Sequence, residues 1–397
     1  MHSFFANPRR NVARAEEIAR AVSGRRDWWI WVRCLHMPGA RFDSSDSHAV
    51  GGAGQAGGGG GADFRVLLTR ALRRRRELIT GGKTEAFRAF SGIADGVDGV
   101  FVDVYGAGAV LIVYQGRPPR GFDEAGAAAV VLEVLKPLGV TAVYLKPFAR
   151  DRSRMGGALP PVVTQATPAA GEPLPEAILV READWNLEIR LWDGLSTGIF
   201  LDQRENRIYT ANWAAYRVKT DGVAPAVLNT FAYTCAFSIA AAKGGAVTTS
   251  VDVSGRYLDW GKRSFGHNGL DAGAHWFAKM DTFEYFVYAK RKGLKYDLII
   301  LDPPSFASGS PKRKIRPWSS IEDYARLVGE AAKLLNPKGV IFASTNTHEL
   351  CVPGRLDREI VRGIGGQPRW LKLPEVPVDF ARDQERFAAR AFALRGT

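Results

Sequence analysis

The sequence predicts an α/β protein: an open, mostly parallel sheet with helices on both faces, preceded by a small α+β domain. Two observations predict it. From about residue 194, strand-length apolar runs alternate with helical patterns, and repeated strand–helix units force parallel pairing through crossovers. The run from Lys295 to Phe306, KYDLIILDPPSF, supplies the second. Its apolar stretch at 298–301 reads as a buried strand that stops at Asp302-Pro303-Pro304. Consecutive prolines neither donate to a ladder nor enter a helix interior, so the chain must leave the sheet there. A carboxylate and then an aromatic ring, Phe306, therefore stand at the carboxyl end of a strand, where open α/β sheets bind ligands.

Bulk properties narrow the function classes. The 397 residues suffice for two or three domains with cores of their own. No apolar run approaches the roughly 20 residues that span a bilayer, so no membrane partner is expected. Cys34, Cys235 and Cys351 lie far apart and match no zinc or disulfide framework. That pattern predicts no metal and a reducing compartment, the cytoplasm. An organelle matrix is the alternative if the arginine-rich start (Arg9, Arg10, Arg14, Arg20, Arg25, Arg26) is a transit segment, although Glu16, Glu17 and Asp27 weaken that reading. The formal charge of +13 tilts the expected partner toward a polyanion, nucleic acid before membrane.

Three regions follow. Residues 1–62 hold a glycine run at 51–61 and read as a poorly ordered segment with a flexible linker. Residues 63–192 read as the small α+β domain. A helix over 63–78 carries a basic face at 73–76. Strands follow at 86–93, 99–105 and 109–114, then a helix at 123–138 ended by Gly139, and a strand at 141–146. Extended stretches at 177–181 and 185–191 close the unit. Residues 193–397 form the larger domain. Its strands are expected at 226–231, 246–253, 275–279, 296–301, 340–344 and 387–394. Helices are expected at 236–243, 254–265, 282–292 and 321–335, the last with a capping box from Ser319 to Glu322.

The loops after these parallel strands make one ligand edge, and four of five carry a candidate group. Asn229-Thr230-Phe231-Ala232-Tyr233-Thr234 leads straight into a helix, whose first N–H groups can meet an anion. Asp252 ends the second strand, about 20 residues on, where an acid can bind both ribose hydroxyls. Asp281 ends the third, placed to accept from an adenine amino group, and Asp302 ends the fourth, facing the reacting centre. One such Asp is usually a helix cap; three in register with the Asp-Pro-Pro turn argue for a site. No G-x-G-x-x-G, Walker lysine loop or G-x-S-x-G occurs, which disfavours dinucleotide, P-loop and hydrolase chemistry.

Four segments then resemble a known family: GLSTGIFLDQRENR (194–207), VLNTFAYTCAFSIAA (227–241), SVDVSGRYLDWGKRSFGHNGLD (250–271) and YDLIILDPPSFA (296–307). They are similar to the ribosomal RNA large-subunit methyltransferase I family and to the guanine-N7 half of the bifunctional large-subunit methyltransferase K/L, from about Leu67 to the C-terminus. The resemblance implies a class I, Rossmann-like fold using S-adenosyl-L-methionine, an RNA partner, and a monomer or homodimer. It implies that Asn229, Phe231, Tyr233 and Thr234 hold the methionine end of the cofactor, Asp252 the ribose and Asp281 the adenine. Asp302, Pro303 and Phe306 would then hold the target base. Asp202, Gln203 and Arg204 form the family's own signature; Arg204 would pair with the cofactor carboxylate or RNA, or else bridge the domains.

Three departures shape the expectation. Cys235 stands where these families usually carry glycine, and its side chain is expected to crowd the cofactor. Asn346 occupies the place of the nucleophilic cysteine of cytosine-C5 members, so it cannot form the transient carbon-6 adduct that C5 methylation needs. Cys351, five residues on, reads as a structural thiol. The guanine-N7 relatives carry asparagine in this loop, and N7 offers an in-plane lone pair, so catalysis there is mainly positioning. Nitrogen methylation of an RNA base is thus expected, N7 of guanine before an exocyclic amine. The alternatives are a cytosine-C5 enzyme, a small-molecule methyltransferase and a non-catalytic RNA-binding protein of this fold. The third departure is that the small RNA-binding PUA barrel usual in methyltransferase I relatives is not readable in residues 1–62. Lys312-Arg313-Lys314-Ile315-Arg316 with Trp318, and Arg150, Arg152 and Arg154, are the expected phosphate contacts.

Overall fold

A computed structural model describes residues 60–148, 166–194, 196–307, 309, 316–381 and 387–395. Most of the start of the chain, the basic loop at 312–315 and Arg150, Arg152 and Arg154 lie outside the described residues.

The smaller sheet contains β1 (Ala86–Ser91), β2 (Val100–Tyr105), β3 (Gly108–Tyr114), β4 (Ala142–Phe148) and β5 (Ala170–Gly171), in that spatial order. All its neighbours are antiparallel except β3 and β4, which the helix α2 (Glu124–Leu135) joins as a parallel crossover. The first helix, α1 (Gly60–Arg74), and α2 cover one face, burying Phe64, Leu68, Val131 and Leu135 against Val100, Val102 and Val143. The expected closing strands behave differently. β6 (Ile178–Glu182) and β7 (Trp185–Ile189) form a separate hairpin, tied to the small sheet near Thr84 by a single bridge to Glu182. Trp185 and Leu187 of that hairpin lie in one core with Tyr105 and Tyr144 of the small sheet and Ile239, Leu258 and Phe265 of the larger unit. The hairpin is thus a wedge between the two units.

The larger sheet orders its strands β10 (Trp276–Lys279), β9 (Val247–Asp252), β8 (Ala226–Thr230), β11 (Tyr296–Leu301), β14 (Leu335–Thr345), β16 (Ala388–Ala393) and β15 (Arg369–Leu371). The first five are parallel; β16 and β15 run antiparallel at one edge. The sequence runs from β8 outward to β10, then restarts at β11 on the other side of β8. That reversal is a topological switch point, where a crevice opens above the carboxyl ends. A two-residue ladder, β12 (Phe306–Ala307) with β13 (Trp318–Ser319), pins both ends of the loop that follows the Asp-Pro-Pro turn.

Helix α3 (Arg204–Asp221) has no counterpart in the hydrophobic pattern, because four of its five buried residues are polar: Arg204, Asn206, Arg207 and Thr210, beside Ala214. The helices α4 (Ala236–Lys243), α5 (Gly255–His267), α6 (Thr282–Arg291) and α7 (Ser320–Ala332) fall near their expected places, and α8 (Arg355–Ile364) is added before β15. The capping box of α7 needs correction. Ser319 makes no side-chain cap, and the acid that receives its N–H is Asp323, at 3.3 Å, not Glu322.

Candidate active site

The turn between β8 and α4 sets the site. Phe231, Tyr233 and Cys235 alternate along it with φ of 53°, 49° and 64°. Left-handed backbone at three non-glycine residues costs on the order of 1–3 kcal/mol each and persists only where neighbours over-determine it. Here they do. Tyr233 N donates to Asp252 Oδ2 at 2.9 Å, Ala232 N to Val251 O at 3.0 Å, and Cys235 N to Ala232 O at 2.7 Å. Phe231 and Tyr233 line a cavity of about 670 Å³, and Thr234 and Cys235 stay off its wall.

Three carboxylates from three strand ends line that cavity. Asp252 accepts from Tyr233 N and from Ser254 N at 2.8 Å, and burial raises its pKa. Asp281 caps α6, one oxygen accepting from Phe283 N at 2.8 Å and Glu284 N at 3.3 Å, while its residue also faces the cavity. Cap and site coincide here. Asp302 accepts from Ser344 Oγ at 2.6 Å; burial pushes it up to about 6, with the Asp202 carboxylate adding and the Ser344 and Gln203 hydrogen bonds opposing. Asp202 lines the cavity too, its pKa raised by burial.

Aromatic rings supply the apolar walls. Trp318 stands 5.9 Å from Phe231 and 6.0 Å from Phe283, ring to ring. Its indole N–H donates to Pro304 O at 2.7 Å and so fixes the Asp-Pro-Pro turn. The Arg326 guanidinium lies 3.8 Å from the Phe283 ring centre, and Arg316 and Arg326 are cations on the wall. Tyr233 packs on Phe200 at 5.5 Å and on Tyr257 at 4.5 Å. At the mouth, Asn346 accepts from Ser305 Oγ at 3.0 Å, leaving its amide N–H groups available. Phe306, 64% exposed, stands outside the wall.

Of the expected site residues, Phe231, Tyr233, Asp252, Asp281, Asp302, Pro303 and Asn346 converge on this cavity. Three do not. Asn229 is buried and donates to Ser238 Oγ at 3.0 Å, and the Thr234 hydroxyl is spent on Gly198 O. Arg204 is the larger correction. Its buried guanidinium pairs with Asp379 and donates to Ala86 O of the small sheet at 3.3 Å, so it bridges the units and does not reach the cavity. Asn229 lies on the face of β8 that packs on α4, and Arg204, at the start of α3, is drawn to the buried Asp379. The expected crowding by Cys235 is also reversed: its thiol faces α5, where any Cβ on Gly261 would sit 2.5 Å from Sγ. A left-handed φ explains why glycine suits that position, and burial keeps the thiol protonated, pushed up to about 12. Cys351 Sγ turns to Thr345 O, 3.6 Å away, with burial pushing its pKa to about 11. Neither described thiol lines the cavity, and no metal-ligating cluster exists among the described residues.

Sequence reasoning missed Phe200, Gln203, Tyr257, Phe283 and Trp318 as wall residues. Gln203 stood in a recognised motif. Tyr257 and Phe283 stand five and two residues past an acidic strand end, each in the first turn of the next helix.

The arrangement suits an adenosyl sulfonium: the volume is within the ~300–1,000 Å³ of small-molecule sites, carboxylates meet hydroxyl and amine donors, and aromatic rings face a cation and a base. Comparison with known proteins agrees. Residues 164–380 match the family described as S-adenosylmethionine-dependent methyltransferase. YwbD of Bacillus subtilis, a candidate ribosomal RNA large subunit methyltransferase, is 39% identical over 72% of this chain and 67% of its own. Ribosomal RNA large subunit methyltransferase K/L of Alteromonas mediterranea is 33% identical over 81% of this chain, which spans 43% of that protein. A solved candidate methyltransferase complexed with SAH, SMU.776, superposes with a TM-score of 0.70 at 31% identity, covering 85% of this chain and 83% of that one.

Proposed function

Because this chain belongs to the S-adenosylmethionine-dependent methyltransferase family, we propose that it methylates a base of RNA, in large-subunit ribosomal RNA, at a nitrogen, with guanine N7 the favoured atom. The observation that carries nitrogen over carbon is the composition of the cavity mouth. Asn346 stands there, and neither described thiol does. Cytosine-C5 transfer needs a thiolate adduct, so that alternative lacks its nucleophile among the described residues. The ribosomal RNA substrate is drawn from the names of the relatives and agrees with the +13 charge.

The cofactor, when bound, supplies an electrophilic methyl group on its sulfonium. In our reading Asp252 holds the ribose, Asp281 and the Phe283 face the adenine, and the Phe231–Tyr233 turn the methionine end. Asp302 and Pro303 face the target base, with Trp318 holding their turn rigid through Pro304. For a ring nitrogen with a free lone pair no proton has to leave, so these residues exclude water and align the acceptor. Arg316 and Arg326 suit the flanking phosphates. A second reading, transfer to an exocyclic amine, is favoured by Asp302 itself, whose carboxylate can accept an amine N–H.

The test is transfer of labelled methyl groups to an unmodified transcript of large-subunit ribosomal RNA, followed by nucleoside mass analysis. Label in 7-methylguanosine is the expected result. Label in an N-methylated exocyclic amine selects the second reading, and label in 5-methylcytidine overturns both.

A further inference from the structure

The hydrogen bonds around Asp302 continue away from the cavity as one buried chain. Asn206 Nδ2 donates to Gln203 Oε1 at 2.9 Å, Gln203 Nε2 donates to Ser344 Oγ at 3.0 Å, and Ser344 Oγ donates to Asp302 Oδ1 at 2.6 Å. Asn206, Gln203 and Ser344 are all buried, at 5%, 2% and 0% exposure. Each link sets the direction of the next. With its carbonyl taken by Asn206, Gln203 meets Ser344 with an N–H, so the single hydroxyl proton of Ser344 is left for Asp302. Asp302 therefore enters the chain as an acceptor. Tyr324 OH donates to Ser344 O at 2.8 Å and fixes the strand end from the other side.

The chain's origin has mechanical meaning. Gln203 and Asn206 are three residues apart at the start of α3 and face Ser344; Arg204 and Arg207, also three apart, face the opposite partners Asp379 and Glu182. The same helical turn grips the small unit and the cavity carboxylate.

We propose that Gln203 and Ser344 are positioning residues that hold Asp302 as an oriented acceptor facing the methyl-accepting base, with Asn206 setting the direction of the chain. This rests on the reading of Asp302 as a base-facing group. Neither residue need touch cofactor or substrate to act. Their hydrogen bonds oppose the effect of burial on Asp302, so removing either should make its carboxyl harder to ionise.

The test uses the full chain with Ser344→Ala, Gln203→Leu and the hydroxyl-retaining Ser344→Thr. Two readouts are needed. The first, carboxyl-carbon NMR of labelled aspartate, follows the titration of Asp302 without RNA; its resonance is assigned by loss in Asp302→Asn. The second is kcat for methyl transfer to an unmodified large-subunit ribosomal RNA transcript. The expected result is a titration moved to higher pH and kcat lowered about tenfold in Ser344→Ala and Gln203→Leu, the scale of one hydrogen bond to a charged group. Ser344→Thr should restore both, and cofactor affinity by calorimetry should stay unchanged in Ser344→Ala, whose residue is off the cavity wall. An unmoved titration, an unmoved kcat beside a moved titration, or loss of cofactor affinity in Ser344→Ala overturns the proposal. A wild-type chain that methylates nothing in this RNA sinks the functional reading alone, because the titration still decides whether the chain of hydrogen bonds governs Asp302.

Discussion

Asp252 and Asp302 show how burial at a cavity raises the pKa of ordinary carboxylates, and each makes a measurable difference. Asp252 braces the strained turn through Tyr233 N and faces the cavity, so Asp252→Ala removes the brace and, in the proposed reading, the ribose ligand with it. Calorimetry should show cofactor affinity at least tenfold weaker, a loss of about 1.4 kcal/mol or more. Asp302, pushed up to about 6 by burial, gives methyl transfer an acidic limb near that pH if its ionised form orients the base. The limb should vanish in Asp302→Asn along with most of the rate. The sign for stability is opposite to that of an ion-paired carboxylate. The folded state keeps the proton between about 3.8 and 6 where the unfolded chain has lost it, so stability falls as pH rises through that window. Asp302→Asn should therefore raise Tm above pH 6, and an unchanged melt would show the carboxylate to be fully solvated. At Cys351, a protonated thiol off the cavity wall predicts that Cys351→Ala keeps transfer within about twofold; a dead variant would mean the nucleophile had been misplaced.

At the level of elements, α3 does what no hydrophobic stripe announces. Its first turn places Arg207 in a two-pronged pair with Glu182 of the wedge hairpin, at 2.6 and 2.7 Å, both side chains buried. Such a pair adds little relative to an apolar contact, yet removing one partner strands a buried charge. Glu182→Gln should therefore cost about 3–5 kcal/mol, read as a lower denaturant midpoint, with the small sheet loosening first by hydrogen exchange. The family signature at 202–204 thus divides by role. Asp202 and Gln203 face the cavity, whereas Arg204 closes the joint between the units.

For the whole molecule, the excess positive charge is a statement about partners and not about fold. If RNA is the substrate, its binding constant should fall log-linearly with salt, with a slope of roughly −0.7 per phosphate contact on single-stranded RNA. A salt-independent affinity would point to a small neutral substrate.

The sequence by itself determined the α/β class, the strand ends at Asp252, Asp281 and Asp302, and the absence of a thiol at Asn346. These are local facts: two prolines end a strand, an acid follows an apolar run, and strand–helix alternation forces parallel pairing. Tertiary structure alone decided which way side chains point. Asn229 and Thr234 stand in the right segments but turn away from the cavity, because one residue's step along a strand or turn reverses a side chain, and Arg204, opening a helix, is taken by the buried Asp379. It alone joined Gln203 to Ser344 across 141 positions, a contact that no periodicity encodes. It also placed the Cys235 thiol off the cavity wall, packed against Gly261. Pattern reveals where a chain must turn, and only packing fixes what each turn presents.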